Sequence, residues 1–101
     1  MITSAQNPLI KRVRSLKHRK YRELEGLFWV EGIRPVAEAV AAEAGVECLI
    51  YAPGRLRSGR ALETIRRMEA KGVEATTVSD RLFDSLSDRE EGQGIGAVVR
   101  I

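Results

Sequence analysis

The chain has little of what most often carries chemistry. Among 101 residues stand one cysteine, Cys48, and one histidine, His18. A lone thiol excludes an intrachain disulfide, and one Cys with one His falls short of the ligand set of a structural zinc site. His18 has no carboxylate or nucleophile at a telling spacing, so it reads as part of a charged surface, not as a general base. Cys48 reads as a buried, inert thiol. The aromatic residues Tyr21, Phe28, Trp29, Tyr51 and Phe83 are too few for stacking along many single-stranded bases. No apolar run reaches the roughly 18–20 residues of a membrane span. The start, "MITSAQNPLIKR", lacks the apolar core and cleavage site of a signal peptide. A cytoplasmic protein without a membrane partner is expected.

Acid is also missing from one region. Residues 1–22 hold seven Lys or Arg and no Asp or Glu, whereas the remainder carries all 14 acids of the chain against ten bases. The net charge of +3 therefore hides a basic leading segment on an acidic body. A split of this kind points to an acidic partner, with nucleic acid foremost.

What is present reads as one small domain of alternating elements. Asn7-Pro8 is a helix start, Asn as cap and Pro at the first helical position. The pattern predicts one helix to about Leu24, stopped by Gly26. "LFWVEG" reads as a buried strand and "IRPVAEAVAAEAG" as a helix with Gly45 as terminator. "VECLIYA" is a second strand, with Cys48 alternating with Val46 and Ile50, and "PGRLRSG" a turn in which Ser58 is a candidate cap. "GRALETIRRMEAKG" follows as a helix with Leu62, Ile65 and Met68 at helical spacing, then "VEATTVS" as a strand. "SDRLFDSLSD" is a short helix capped by Ser79, "REEGQGIG" a Gly-rich loop and "AVVRI" a last strand. The α-β-α-β-α-β-α-β order predicts an α/β layered domain with a largely parallel sheet of about four strands.

In a single helix over 7–24, Leu9, Ile10, Val13, Leu16, Tyr21 and Leu24 share one arc. Lys11, Arg12, Arg14, Arg19 and Arg22 lie opposite, with His18 among them, and Lys17 and Lys20 snorkel from the edge. Two readings compete. A charged face is commonly just solvated, but solvated faces mix signs, and no Glu relieves the i,i+4 series Arg14, His18, Arg22. Contact with nucleic-acid phosphates is favoured, giving affinity and orientation without sequence choice.

A second constellation is "FWVEGIRPVAEA", where a strand ends in Glu31-Gly32 and a helix opens with Arg34. Strand carboxyl ends are where α/β sheets bind ligands. Gly32 would let a backbone approach, the helix start would offer free amides, and Arg34 a planar donor set. The competing structural reading has Gly32 making the turn and Glu31 pairing with Arg34 or capping the helix. Arg55, Arg57 and Arg60 form a further basic patch, open between nucleic-acid contact and solvent. Glu90 and Glu91 would repel nucleic acid locally. "GQGIG" fails as a dinucleotide fingerprint because it precedes a strand and opens no helix.

"ITSAQNPLIK", "KYRELEGLFWVEGIRPVAEA" and "GQGIGAVV" together resemble the N-terminal substrate-binding domain of the SpoU (TrmH-type) RNA ribose 2′-O-methyltransferases. The specific parts are Lys20-x-Arg22 followed by Phe28-x-Val30-Glu31-Gly32-x-Arg34, and the strand from Gln93 to Val99. Gly96 departs from the pattern, which usually has a larger residue there. The resemblance implies a three-layer α/β/α sandwich, L30e-like, with a mixed, mostly parallel sheet. It implies an RNA substrate-binding domain over 1–101, with ribosomal or transfer RNA as partner. A downstream knotted SPOUT domain would bind S-adenosylmethionine, so no cofactor and no catalysis are expected of this chain by itself. It also implies a homodimeric parent and a monomeric isolated domain. The RNA-binding residues expected are Lys11, Arg12, Arg14, Arg19, Lys20, Arg22, Glu31, Gly32 and Arg34. The alternative is an L30e-like protein-interaction module, its basic helix docking an acidic partner or the catalytic domain.

Overall fold

A computed structural model of the chain describes residues 1–57, 59–87 and 93–101. The Ser58 cap, Glu90, Glu91 and Gly92 lie outside those residues. Asn7 caps α1 (Pro8–Ser15), its Oδ1 accepting from the Leu9 amide at 2.9 Å. The single helix expected to Leu24 is in fact two. The chain turns at Leu16–His18 and restarts as α2 (Arg19–Glu25), which ends on Gly26 in the left-handed conformation. A side-chain contact spans the break. The Arg22 guanidinium reaches back to the Leu16 and Lys17 carbonyls, at 3.0 and 2.9 Å, and satisfies the end of α1. Ile10, Val13 and Leu16 are buried as expected, while Tyr21 and Leu24, which an unbroken helix would bury, are exposed.

The remaining elements are β1 (Leu27–Glu31), α3 (Ile33–Ala41), β2 (Val46–Tyr51), a single 3₁₀ turn (Pro53–Arg55), α4 (Gly59–Ala70), β3 (Glu74–Thr77), α5 (Asp80–Leu86) and β4 (Ile95–Arg100). Helix α3 stops short of Gly45, at Ala42, and Glu43 takes a positive φ. Helix α4 buries Ala61, Thr64, Ile65 and Met68 and turns Leu62 outward. Ser79 caps α5 as expected, accepting from the Leu82 amide.

The sheet order is β1-β4-β2-β3. Strand β4 runs against both neighbours, and β2 pairs with β3 in parallel. The sheet is therefore mixed: β1, β2 and β3 point one way, but among the described residues two of its three strand pairings are antiparallel, against the largely parallel sheet expected, because the central β4 runs opposite to both neighbours. The last strand in sequence is central in space, which explains why its residues from Ile95 to Val99 are all buried.

Side chains alternate across the sheet into two cores. One face packs on α1 and α5 through Ile10, Val13, Leu16, Ile50, Phe83 and Val98. The other packs on α3 and α4 through Val36, Val40, Leu49, Ile65 and Val99. This is the three-layer α/β/α architecture. A bulge between Val46 and Cys48 puts those two residues on opposite faces, against the simple alternation expected. Gly96 also acquires its reason. A Cβ there would meet the Trp29 indole at 2.1 Å, so the ring of Trp29 fills the space that a larger residue would take. Among the described residues, no helix is long and apolar enough to cross a membrane.

Candidate nucleic-acid interface

Because the leading segment folds as two helices, its cations do not share one face. Arg12 lies within 3.4 Å of Glu25 and 3.6 Å of Glu47, and Arg19 pairs with Glu23 at 2.9 Å. The acids absent from 1–22 thus arrive from α2 and β2, correcting the expectation of an unrelieved cationic stripe. Arg22 is engaged in ending α1. Arg14 donates to Ser85 Oγ at 2.8 Å, a neutral partner. Lys20 sits over the Tyr21 ring at 5.9 Å, and Lys11 is exposed with no carboxylate partner among the described residues. Lys11, Arg14 and Lys20 therefore keep their charge uncompensated, while Arg12 and Arg19 do not.

Glu31, Gly32 and Arg34 sit where β1 gives way to α3, as expected. The carboxyl ends of β1, β2 and β3 and the start of β4 all meet at this end of the sheet. The amides at the start of α3 are only partly free, however. Gly32 N–H donates to the Ile95 carbonyl at 2.9 Å, and Ile33 N–H donates to Gln93 Oε1 at 2.8 Å. Pro35 has no N–H. Gly32 is buried with φ of 106°, so its role is the turn, and a Cβ there would be strained. Glu31 neither pairs with Arg34 nor caps the helix. It accepts from Ser87 Oγ and lies 3.5 Å from Trp29 Nε1, tying β1 to the end of α5. Arg34 is 83% exposed and reaches Glu38 at 3.4 Å. Of the three residues, Arg34 is the one a ligand reaches directly. The basic segment enters β1 at its other end, about 16 Å away for a strand of this length.

Sequence reasoning missed the participants Gln93, Ser87 and Asp84. Gln93 fastens the Gly-rich stretch to α3, and Asp84 takes Arg55 into an ion pair. Both depend on contacts between segments far apart in sequence, for which local patterns carry no signal. Arg57 is exposed, and Arg60 lines a groove between α3 and α4 with Glu63 and Arg67. Burial pushes the Cys48 thiol up from its ordinary range, and the neighbouring Glu47 carboxylate adds to the effect. Among the described residues, no cluster of His, Cys, Asp or Glu suits a metal ion.

Residues 7–97 match the model of a family described as the MRM3-like substrate-binding domain. No curated protein sequence matches the chain. Three solved structures illustrate the likeness. An rRNA methyltransferase from Sinorhizobium meliloti superposes with a TM-score of 0.82 at 21% identity, over 99% of this chain and 36% of that one. An RNA 2′-O ribose methyltransferase gives 0.79 at 29% identity, over 98% and 36%. The SpoU methyltransferase AviRb from Streptomyces viridochromogenes, in complex with AdoMet, gives 0.76 at 25% identity, over 94% and 33%. The chain thus spans about a third of the length of these proteins.

Proposed function

We propose, from the premise that the chain belongs to the MRM3-like substrate-binding domain family, that it holds structured RNA for a separate methyltransferase domain. The RNA is ribosomal or transfer RNA, the reaction is ribose 2′-O-methylation in the cytoplasm, and S-adenosylmethionine supplies the methyl group in the domain that catalyses. The parent is a homodimer, and this chain by itself does not transfer methyl groups. The observation that carries the reading is the family match over residues 7–97. The uncompensated charges of Lys11, Arg14 and Lys20 and the exposed Arg34 support it.

Titrating the chain against a labelled ribosomal RNA hairpin tests the proposal. If about five phosphates are neutralised, log K falls with log salt at a slope of roughly −3.5 to −4.5. Absence of binding at low salt removes the reading. A second reading, docking of the basic segment on protein, is favoured by exposed apolar side chains on α2, with Leu24 75% exposed and Tyr21 41%. Under that reading, Leu24→Ser and Tyr21→Ser weaken association with the catalytic domain and leave RNA affinity unchanged.

A further inference from the structure

Helix α5 divides its side chains between two neighbours. Asp80 and Asp84, one turn apart, face the 3₁₀ turn. Asp80 lies against Gly54, where an added Cβ would be 2.8 Å from its carboxylate oxygens, and Asp84 pairs with Arg55. Arg81 and Ser85, also one turn apart, face α1 instead. With Thr3, Arg14, Ser79 and Leu82 they line an open groove of about 360 Å³. Two guanidiniums and three hydroxyls line it beside Ala5 and Leu82, and no carboxylate among the described residues does.

This groove differs from the settings of the ion-paired arginines. Arg12, Arg19, Arg34, Arg55, Arg67 and Arg100 each lie within 4 Å of a carboxylate. Arg81 has no hydrogen bond or ion pair among the described residues. Arg14 is aimed without being neutralised: it donates to Ser85 Oγ at 2.8 Å, while Ser85 Oγ donates to the Leu82 carbonyl at 2.6 Å. Two charged donor forks on one groove, with no carboxylate partner among the described residues, suit an anion with several acceptor oxygens.

We infer that this groove seats a phosphodiester of the RNA backbone, with Arg14 and Arg81 as its charged donors. The inference rests on the RNA-holding reading and adds a route to it. Helix α5 leads from the groove to Ser87, which donates to Glu31, a path of about 10 Å at 1.5 Å per residue. A strand of RNA laid along α5 runs from Arg14 and Arg81 toward Arg34, away from the ion-paired cations of α2.

The test compares the chain with Arg81→Gln, Arg14→Gln/Arg81→Gln and Arg14→Lys/Arg81→Lys, using the same labelled ribosomal RNA hairpin at several salt concentrations. The double Gln variant is expected to bind about five- to twentyfold more weakly and to lose about one from the magnitude of the salt slope. Arg81→Gln carries part of that loss with an unchanged melting temperature, because the side chain holds nothing in the fold. The double Lys variant, which keeps the charge, recovers most of the affinity. Arg19→Gln stays within about twofold of the parent, since it sits on α2 with Glu23, off the path along α5. A double Gln variant with the parent's affinity and slope overturns the inference while leaving the RNA reading in place. A parent chain that binds no RNA overturns both.

Discussion

Gly96 and Trp29 show how one residue's constraint is set by another far along the chain. They are diagonal neighbours on β1 and β4, and the indole occupies the volume above the glycine. Gly96→Val should therefore cost roughly 1–3 kcal/mol through overpacking, read as a lower urea midpoint. Adding Trp29→Leu should return part of that loss, because the clash disappears with the ring. Cys48 gives a second test at the same scale. Its thiol titrates above the ordinary range because burial disfavours the thiolate. The folded state then holds the proton after the unfolded state has lost it, so this contribution to stability is full below the ordinary thiol range and fades as pH rises through the folded value. Alkylation of the native chain at pH 8 should accordingly be slower than that of the urea-unfolded chain, and Cys48→Ala should flatten the alkaline decline in stability. The caps Asn7 and Ser79 were legible from residue type alone, because an N-cap is a local bond. The reason for Gly96 was not, because Trp29 lies 67 residues away.

At the scale of elements, the break between α1 and α2 decides what the basic segment can do. A helical arc drawn through Leu24 assumes that each residue advances regularly, and that assumption fails where Arg22 satisfies the Leu16 and Lys17 carbonyls. No local pattern announces such a bond, since Arg22 looks like any other cation of the run. The consequence is a redistribution: Arg14 turns to α5, Arg12 to Glu25 and Glu47, and Arg19 to Glu23. Arg22→Ala leaves two carbonyls without their partner, and a loss of roughly 1 kcal/mol is expected. Thermal unfolding measures it, and amide exchange localised to residues 14–22 separates fraying at the break from global loss. An unchanged exchange pattern in that segment would show that the break is held by packing instead.

Across the whole molecule, the order of elements and the layered architecture were readable from periodicity, but the place of β4 was not. Alternation predicts strands that pair with their sequence neighbours, and only β2 and β3 do so around α4. Strand β4 inserts between β1 and β2, a pairing set by its doubly buried apolar run and by contacts that span most of the chain. Its insertion also gives the sheet two unlike ends. At one, Arg12, Glu25, Glu47 and Arg100 form an ion-pair cluster where β1 and β2 begin and β4 finishes. At the other, Glu31, Gly32, Gln93 and the turn at Arg55 meet beneath Arg34 and beside α5. One end ties its charges into a half-exposed cluster, and the other carries Arg34 far out in solvent, 83% exposed and paired only with Glu38 on its own helix. Arg12→Gln and Arg34→Gln, equal in charge, should therefore separate cleanly. Arg12→Gln removes a half-exposed pair, costs at most about 1 kcal/mol of stability and leaves RNA affinity within about twofold. Arg34→Gln leaves the melting temperature unchanged and weakens RNA binding about three- to tenfold, with a shallower salt slope. If instead Arg12→Gln is the variant that loses RNA, the interface lies at the ion-paired end, and the binding path along α5 is wrong.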